Sequence, residues 1–169
     1  MKTNQIPKQD INDKPTGCCP KFNPEGWDGQ NLHFKGKLFV KVKTRSIFHI
    51  PINMGKVFPK TFAQIEKAQA LDENDCIVLS YDPSPWTGEH YFSVKHEVAG
   101  LENIRLSGDY YTKVFEGPYK NVPKWEKQLR QIVEKQMKKA KKVYFFYTTC
   151  PKCAKVYGKN YLVALAHTS

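Results

Sequence analysis

From Lys37 to Ile50 the chain alternates apolar and polar side chains (KLFVKVKTRSIFHI), the period of a half-buried β-strand. Pro51 ends it. Phe58, Phe62 and Ile65 then recur at helical spacing and predict a helix running to about Ala70. Cys76–Tyr81 is a short apolar run of β-type residues, and Tyr91–Val98 alternates again after the loop DPSPWTG. Ile104–Phe115 then predicts a strand pair, or one long strand broken at Gly108. Lys124–Lys139 predicts a helix, and Val143–Thr148 and Tyr161–His167 predict two strands.

The second series repeats the first. Phe48 and Phe115 are 67 residues apart, and so are Pro51 and Pro118; the same offset pairs Phe58 with Trp125, Phe62 with Leu129 and Ile65 with Ile132. A constant offset through strand, turn and helix points to one βαββ unit used twice. The expected fold class is therefore α+β. Two pseudo-symmetric βαββ units, about 37–98 and 101–169, form one antiparallel sheet with two helices on one face. Residues 1–36 are rich in Pro and Gly and read as an irregular leader. It carries Cys18, Cys19, Phe22 and Trp27, so from Cys18 onward it is expected to dock on the domain.

Such a pair of units leaves a concave seam, and seams collect ligands. Aromatic side chains supply candidate walls: Trp86, Tyr91, Tyr110, Phe115, Tyr119 and Tyr161. Trp86 sits in a loop between strands, where it can act as a lid or a stacking wall.

Composition narrows the classes. At 169 residues with 40% hydrophobic and 13% aromatic content, the chain can bury a core and is not disordered. No apolar run approaches a membrane span, and the polar start lacks the apolar stretch of a secretory signal. The expectation is a cytoplasmic protein with no membrane partner. The net charge of +11 fits nucleic acid, anionic metabolites or a solvated lysine face. Lys135, Lys138, Lys139, Lys141 and Lys142 cluster at a helix end, where they complement the dipole.

Cys150 and Cys153 form CPKC at the end of an apolar strand. Two thiolates at this spacing can chelate one metal from a tight turn. Cys18 and Cys19 are the remaining pair, although adjacent side chains diverge in an extended backbone. Structural zinc on these four, or on CPKC with one of the leader cysteines and His33, His96 or His167, thiol redox chemistry at CPKC, and unconnected reduced thiols all fit the pattern. Cys76, in an apolar strand, reads as core. Glu89 and Glu116 are candidate general acid–base carboxylates, with Tyr147 as a candidate to orient water or steady an oxyanion. His90 and His96, six apart, are expected to share a strand face, with Glu89 on the other.

Leu106–Leu129, through Gly108, Tyr110, Phe115, Gly117, Pro118 and Tyr119, resembles the GyrI-like (gyrase-inhibitor-like) small-molecule-binding family. TGCCP at Thr16–Pro20 and TTCPKCAK at Thr148–Lys155 resemble a subgroup labelled hydrolase. The resemblance implies two βαββ units, a ligand in the seam, and either binding or hydrolysis of a hydrophobic or aromatic compound. An acidic residue that the family often has before the last strand is replaced here by Lys159-Asn160. A zinc-stabilised basic protein that binds nucleic acid, and a CxxC thiol redox protein, are the alternatives.

Overall fold

The computed structural model describes residues 2–169. The elements are β1 (Asn31–Ile47), β2 (Ile50–Pro51), α1 (Met54–Lys67), β3 (Val78–Ser84), β4 (Thr87–Ser93), β5 (Glu102–Glu116), α2 (Val122–Lys135), β6 (Lys142–Tyr147), α3 (Pro151–Tyr157) and β7 (Tyr161–His167). A 3-10 turn at Tyr119–Asn121 precedes α2. The chain is thus mixed α+β, with antiparallel sheet and three α-helices among the described residues. It divides into two units: residues 36–106, and residues up to 35 together with 107–169.

In the 36–106 unit, β1 pairs with β4 from Phe39↔Ser93 to Arg45↔Thr87. On its other side β4 pairs with β3, with a register shift between Tyr81 and Ser84. Two-residue alternation sends Val40 and Phe92 to the face that α1 covers. There they meet Ile65 and Ala70, with Phe58 and Phe62 edge-on to Phe92.

In the other unit β7 is central, pairing with β5 from Tyr110↔His167 to Glu116↔Tyr161 and with β6 from Lys142↔His167 to Tyr147↔Leu162. Trp125, Leu129 and Val133 of α2 pack on Val143, Phe145, Leu162 and Ala164. The N-terminal segment adds Trp27, fully buried against Phe22 and Phe146. Thr112 fixes that segment through its hydroxyl to Trp27 O and its backbone to Gln30 and Gly29.

Several boundaries differ from the sequence expectation. β1 begins at Asn31, inside the stretch read as irregular, and ends at Ile47. The residues after it turn back as β2. β4 ends at Ser93, so His96 lies off the strand and shares no strand face with His90. β5 runs unbroken through Gly108, whose φ of 122° a side chain would resist. Helix α3 was not expected, because CPKC read as a turn.

The two longer helices each span 14 residues, and α2 begins 68 positions after α1. Two residues past the last residue of each comes one with positive φ, Gln69 at 54° and Met137 at 60°. Their N–H groups bond Glu66 O and Glu134 O at 2.9 Å. The expected offset of 67 paired Ile65 with Ile132; the helices themselves pair Ile65 with Val133, and both of those are buried.

Candidate metal centre

Cys150 leaves β6 in extended conformation (φ −75°, ψ 162°) and caps α3. Pro151 opens the helix, its missing N–H costing nothing in the first turn. Cys153 therefore stands on that first turn and is buried. Gly158 closes α3 in the left-handed region at φ 72°. Cys18 and Cys19 arrive from a bend after Gly17, whose φ is 70°. The backbone there is not extended, so the adjacent side chains need not diverge.

The four sulfurs of Cys18, Cys19, Cys150 and Cys153 all lie within 4.8 Å of one another, and none is in a disulfide. Cys18 Sγ and Cys19 Sγ are 3.7 Å apart. A tetrahedral zinc with Zn–S bonds near 2.3 Å has an S···S edge of about 3.8 Å. The cluster has the composition and the spacing to hold one metal ion. Four thiolates fill a tetrahedron and leave no open position for a reacting water.

Surrounding groups hold the sulfurs in place. The Cys150 N–H donates to Cys19 Sγ at 3.4 Å. Thr16 Oγ1 lies 3.1 Å from Cys153 Sγ and 3.0 Å from Tyr157 Oη, and Tyr157 Oη donates to Cys19 O at 2.6 Å. The Thr16 hydrogen bond leads the effects that bring the Cys153 thiol down to about 7, while burial pushes Cys19 up. Burial also raises Cys76, which lies away from the cluster.

The carboxylate candidates fall in different units. Glu89 on β4 is held by Tyr91 Oη at 2.5 Å and by Lys41 Nζ at 3.5 Å. Its side chain is only 14% exposed. Glu89 and Tyr91 share a face because they are two apart on one strand. Glu116 is exposed at the end of β5, beside a shallow depression of about 390 Å³ that Lys155, Lys159 and Asn160 also line. Tyr147 is part-exposed and stands edge-on to Tyr119 at 4.8 Å.

The aromatic candidates are also divided. Trp86 and Tyr91 belong to the 36–106 unit, Trp86 exposed and Tyr91 buried. In the other unit Tyr110 is buried, stacked on His167 and beside Phe34. Phe115 stacks on Trp125. Tyr119 Oη donates to Thr149 O at 2.9 Å and to Tyr161 O at 3.4 Å. These packing partners make Tyr110, Phe115 and Tyr119 parts of a folded core.

One polar network escaped the sequence reading. His90 Nδ1 is 2.8 Å from Ser80 Oγ, and His90 Nε2 is 2.8 Å from Thr44 Oγ1, all three buried. Burial holds the imidazole down at about 4, so it is neutral at pH 7. Cross-strand register makes this cluster, and linear spacing carries no trace of it. A family model described as "Bacterial hydrolase" matches residues 9–168. No curated protein matches the chain.

Proposed function

The chain belongs to the bacterial hydrolase family, and on that footing we propose that it is a small-molecule hydrolase of GyrI-like plan, with one structural zinc on Cys18, Cys19, Cys150 and Cys153 and Glu89 as its reacting carboxylate. The observation that carries the zinc assignment is the 3.7 Å separation of the Cys18 and Cys19 sulfurs, close to the edge of a zinc–thiolate tetrahedron. A saturated tetrahedron knots the N-terminal bend to α3 and does no hydrolysis. The chemistry then needs a group elsewhere. A reducing cytoplasm suits the site, since it keeps the cysteines as thiols.

Glu89 is supported by its setting: little exposed, and gripped by a phenol and an ammonium that fix its orientation. In this reading its carboxylate takes a proton from a water as the oxygen attacks an electrophilic carbon of the substrate. The proton then passes to the leaving group. The GyrI-like plan is supported by strand order. With the two-residue β2 and the short α3 between β6 and β7 set aside, each unit runs strand, helix, strand, strand, and in each the last strand lies between the other two. The matching helix lengths and ends, 68 residues apart, support a duplicated module.

Two measurements test this reading. Protein purified without added zinc should contain about one zinc per chain, and Cys150→Ser should contain almost none. A metal-free native protein that forms a Cys150–Cys153 disulfide on oxidation would replace zinc with thiol redox chemistry. Turnover on a panel of aryl esters, lactones and epoxides should be lost in Glu89→Gln with the fold intact. Equal turnover in the variant would remove Glu89 from the reaction.

A further inference from the structure

The turn between β1 and β2 is built against its own conformational preference. Ile47 pairs with Ile50, leaving Phe48 and His49 as a two-residue loop, both at positive φ (48° and 67°). Asn-Gly fits such a turn without strain, and a bulky aromatic does not. The turn itself gives no reason for Phe48. The side chain is 72% exposed, so it does not serve the core either.

Around it the surface is apolar. Ile47, Ile50, Ile52 and Trp86 are all about half exposed or more, and Phe48 and Trp86 have ring centroids 5.2 Å apart. The patch is held firmly. Ser46 N–H bonds Trp86 O at 2.8 Å, His49 N–H bonds Pro85 O at 2.9 Å, and Ile52 N–H bonds Arg45 O at 2.9 Å. Two hairpin tips are thereby locked side by side. Lys43, Arg45, Lys56 and Lys60 are exposed on the adjoining stretches of β1 and α1. The acidic neighbour, Asp82, lies 3.6 Å from His49.

We propose that this hairpin pair is an interfacial anchor that inserts Phe48, Trp86 and the isoleucines into the headgroup region of an anionic bilayer. Aromatic and aliphatic tips suit the boundary between acyl chains and headgroups, and flanking lysine and arginine suit acidic lipid. Charge decides against a second copy of the chain as the occupant, because two such patches face to face would oppose their own cationic flanks. No helix among the described residues is long and apolar enough to cross a membrane, and a surface anchor requires none.

The test is co-sedimentation with vesicles of phosphatidylcholine alone and of phosphatidylcholine with 30% phosphatidylglycerol. The protein should partition onto the anionic vesicles. Its tryptophan emission should move to the blue, a change owed to Trp86 because Trp27 and Trp125 are buried. Phe48→Asn suits the turn and leaves the net charge unchanged, so it should fold at least as well and bind tenfold less. Wild-type protein that stays in the supernatant overturns the proposal. So does a Phe48→Asn variant that binds equally well, which would assign the attraction to the lysines at the end of α2. A wild-type dimer that Phe48→Asn converts to monomer would give the patch to a second copy instead.

Discussion

The backbone N–H of Cys150 points at Cys19 Sγ, 3.4 Å away and 131 residues back in the chain. An N–H donor on a sulfur stabilises the thiolate and fixes its direction, which is what a metal requires of its ligands. The same bond ties the cap of α3 to the N-terminal bend. A metal held by these cysteines would be coupled to the fold, since no preformed site exists in the unfolded chain.

Chelation is expected to destabilise the protein. With free zinc at a thousand times its dissociation constant, the bound metal contributes about 4 kcal/mol. Urea unfolding with and without chelator measures this, and Cys19→Ala should abolish the difference between the two curves. Coincident curves for the wild-type protein would mean that the four thiols hold no metal.

The cysteines were legible because CPKC is a local motif and one further pair was available to complete it. Its partners were not. Thr16 and Tyr157 meet Cys153 and Cys19 only after the leader folds back. Helix α3 was missed although Gly158 marks its end, since seven residues are too few to show a helical period. The β1–β2 turn was missed because Phe48-His49 carries no turn signal. The two long helices were visible as helical periodicity, and β7 as a short continuous apolar run.

Thr16→Val removes the hydroxyl beside Cys153 while keeping its shape. In metal-free protein the Cys153 thiol should then titrate above its present value of about 7. The alkylation rate against pH reports the midpoint, which should move upward. The lost hydrogen bonds should cost about 1 kcal/mol. The linkage has a definite sign. A thiol whose pKa falls on folding, here from 9.0 to about 7, adds stability that is complete above pH 9 and lost as pH falls through 7. Thr16→Val should flatten that dependence in the metal-free protein. An unmoved midpoint would separate Thr16 from the thiol.

His90 adds a vulnerability of the same sign at lower pH. Its folded pKa, about 4, lies below the ordinary 6.5 because the ring is buried. The unfolded chain takes up the proton first as pH falls. Stability is complete above 6.5 and declines as pH drops toward 4, by on the order of 3 kcal/mol in total. Urea unfolding at pH 7, 5.5 and 4.5 should show the decline in the wild-type protein and much less of it in His90→Gln. A wild-type curve flat over that range would mean that the imidazole is not shielded.

Gly88 explains how that histidine is accommodated. It sits opposite Thr44 in the β1–β4 register, and a Cβ added there would come within 2.6 Å of Thr44 Oγ1 and 3.0 Å of His90 Nε2. Both atoms belong to the buried network and are held by their hydrogen bond, so neither can yield without breaking it. Gly88→Ala should therefore cost about 1–3 kcal/mol, in the range of overpacking in a closed core. The effect should not add to that of Thr44→Ala. Truncating Thr44 removes the nearest obstacle, so Gly88→Ala should cost less in that background. A double-mutant cycle from urea unfolding measures this coupling, and strict additivity would show that the glycine is needed for something other than room beside the Thr44–His90 pair.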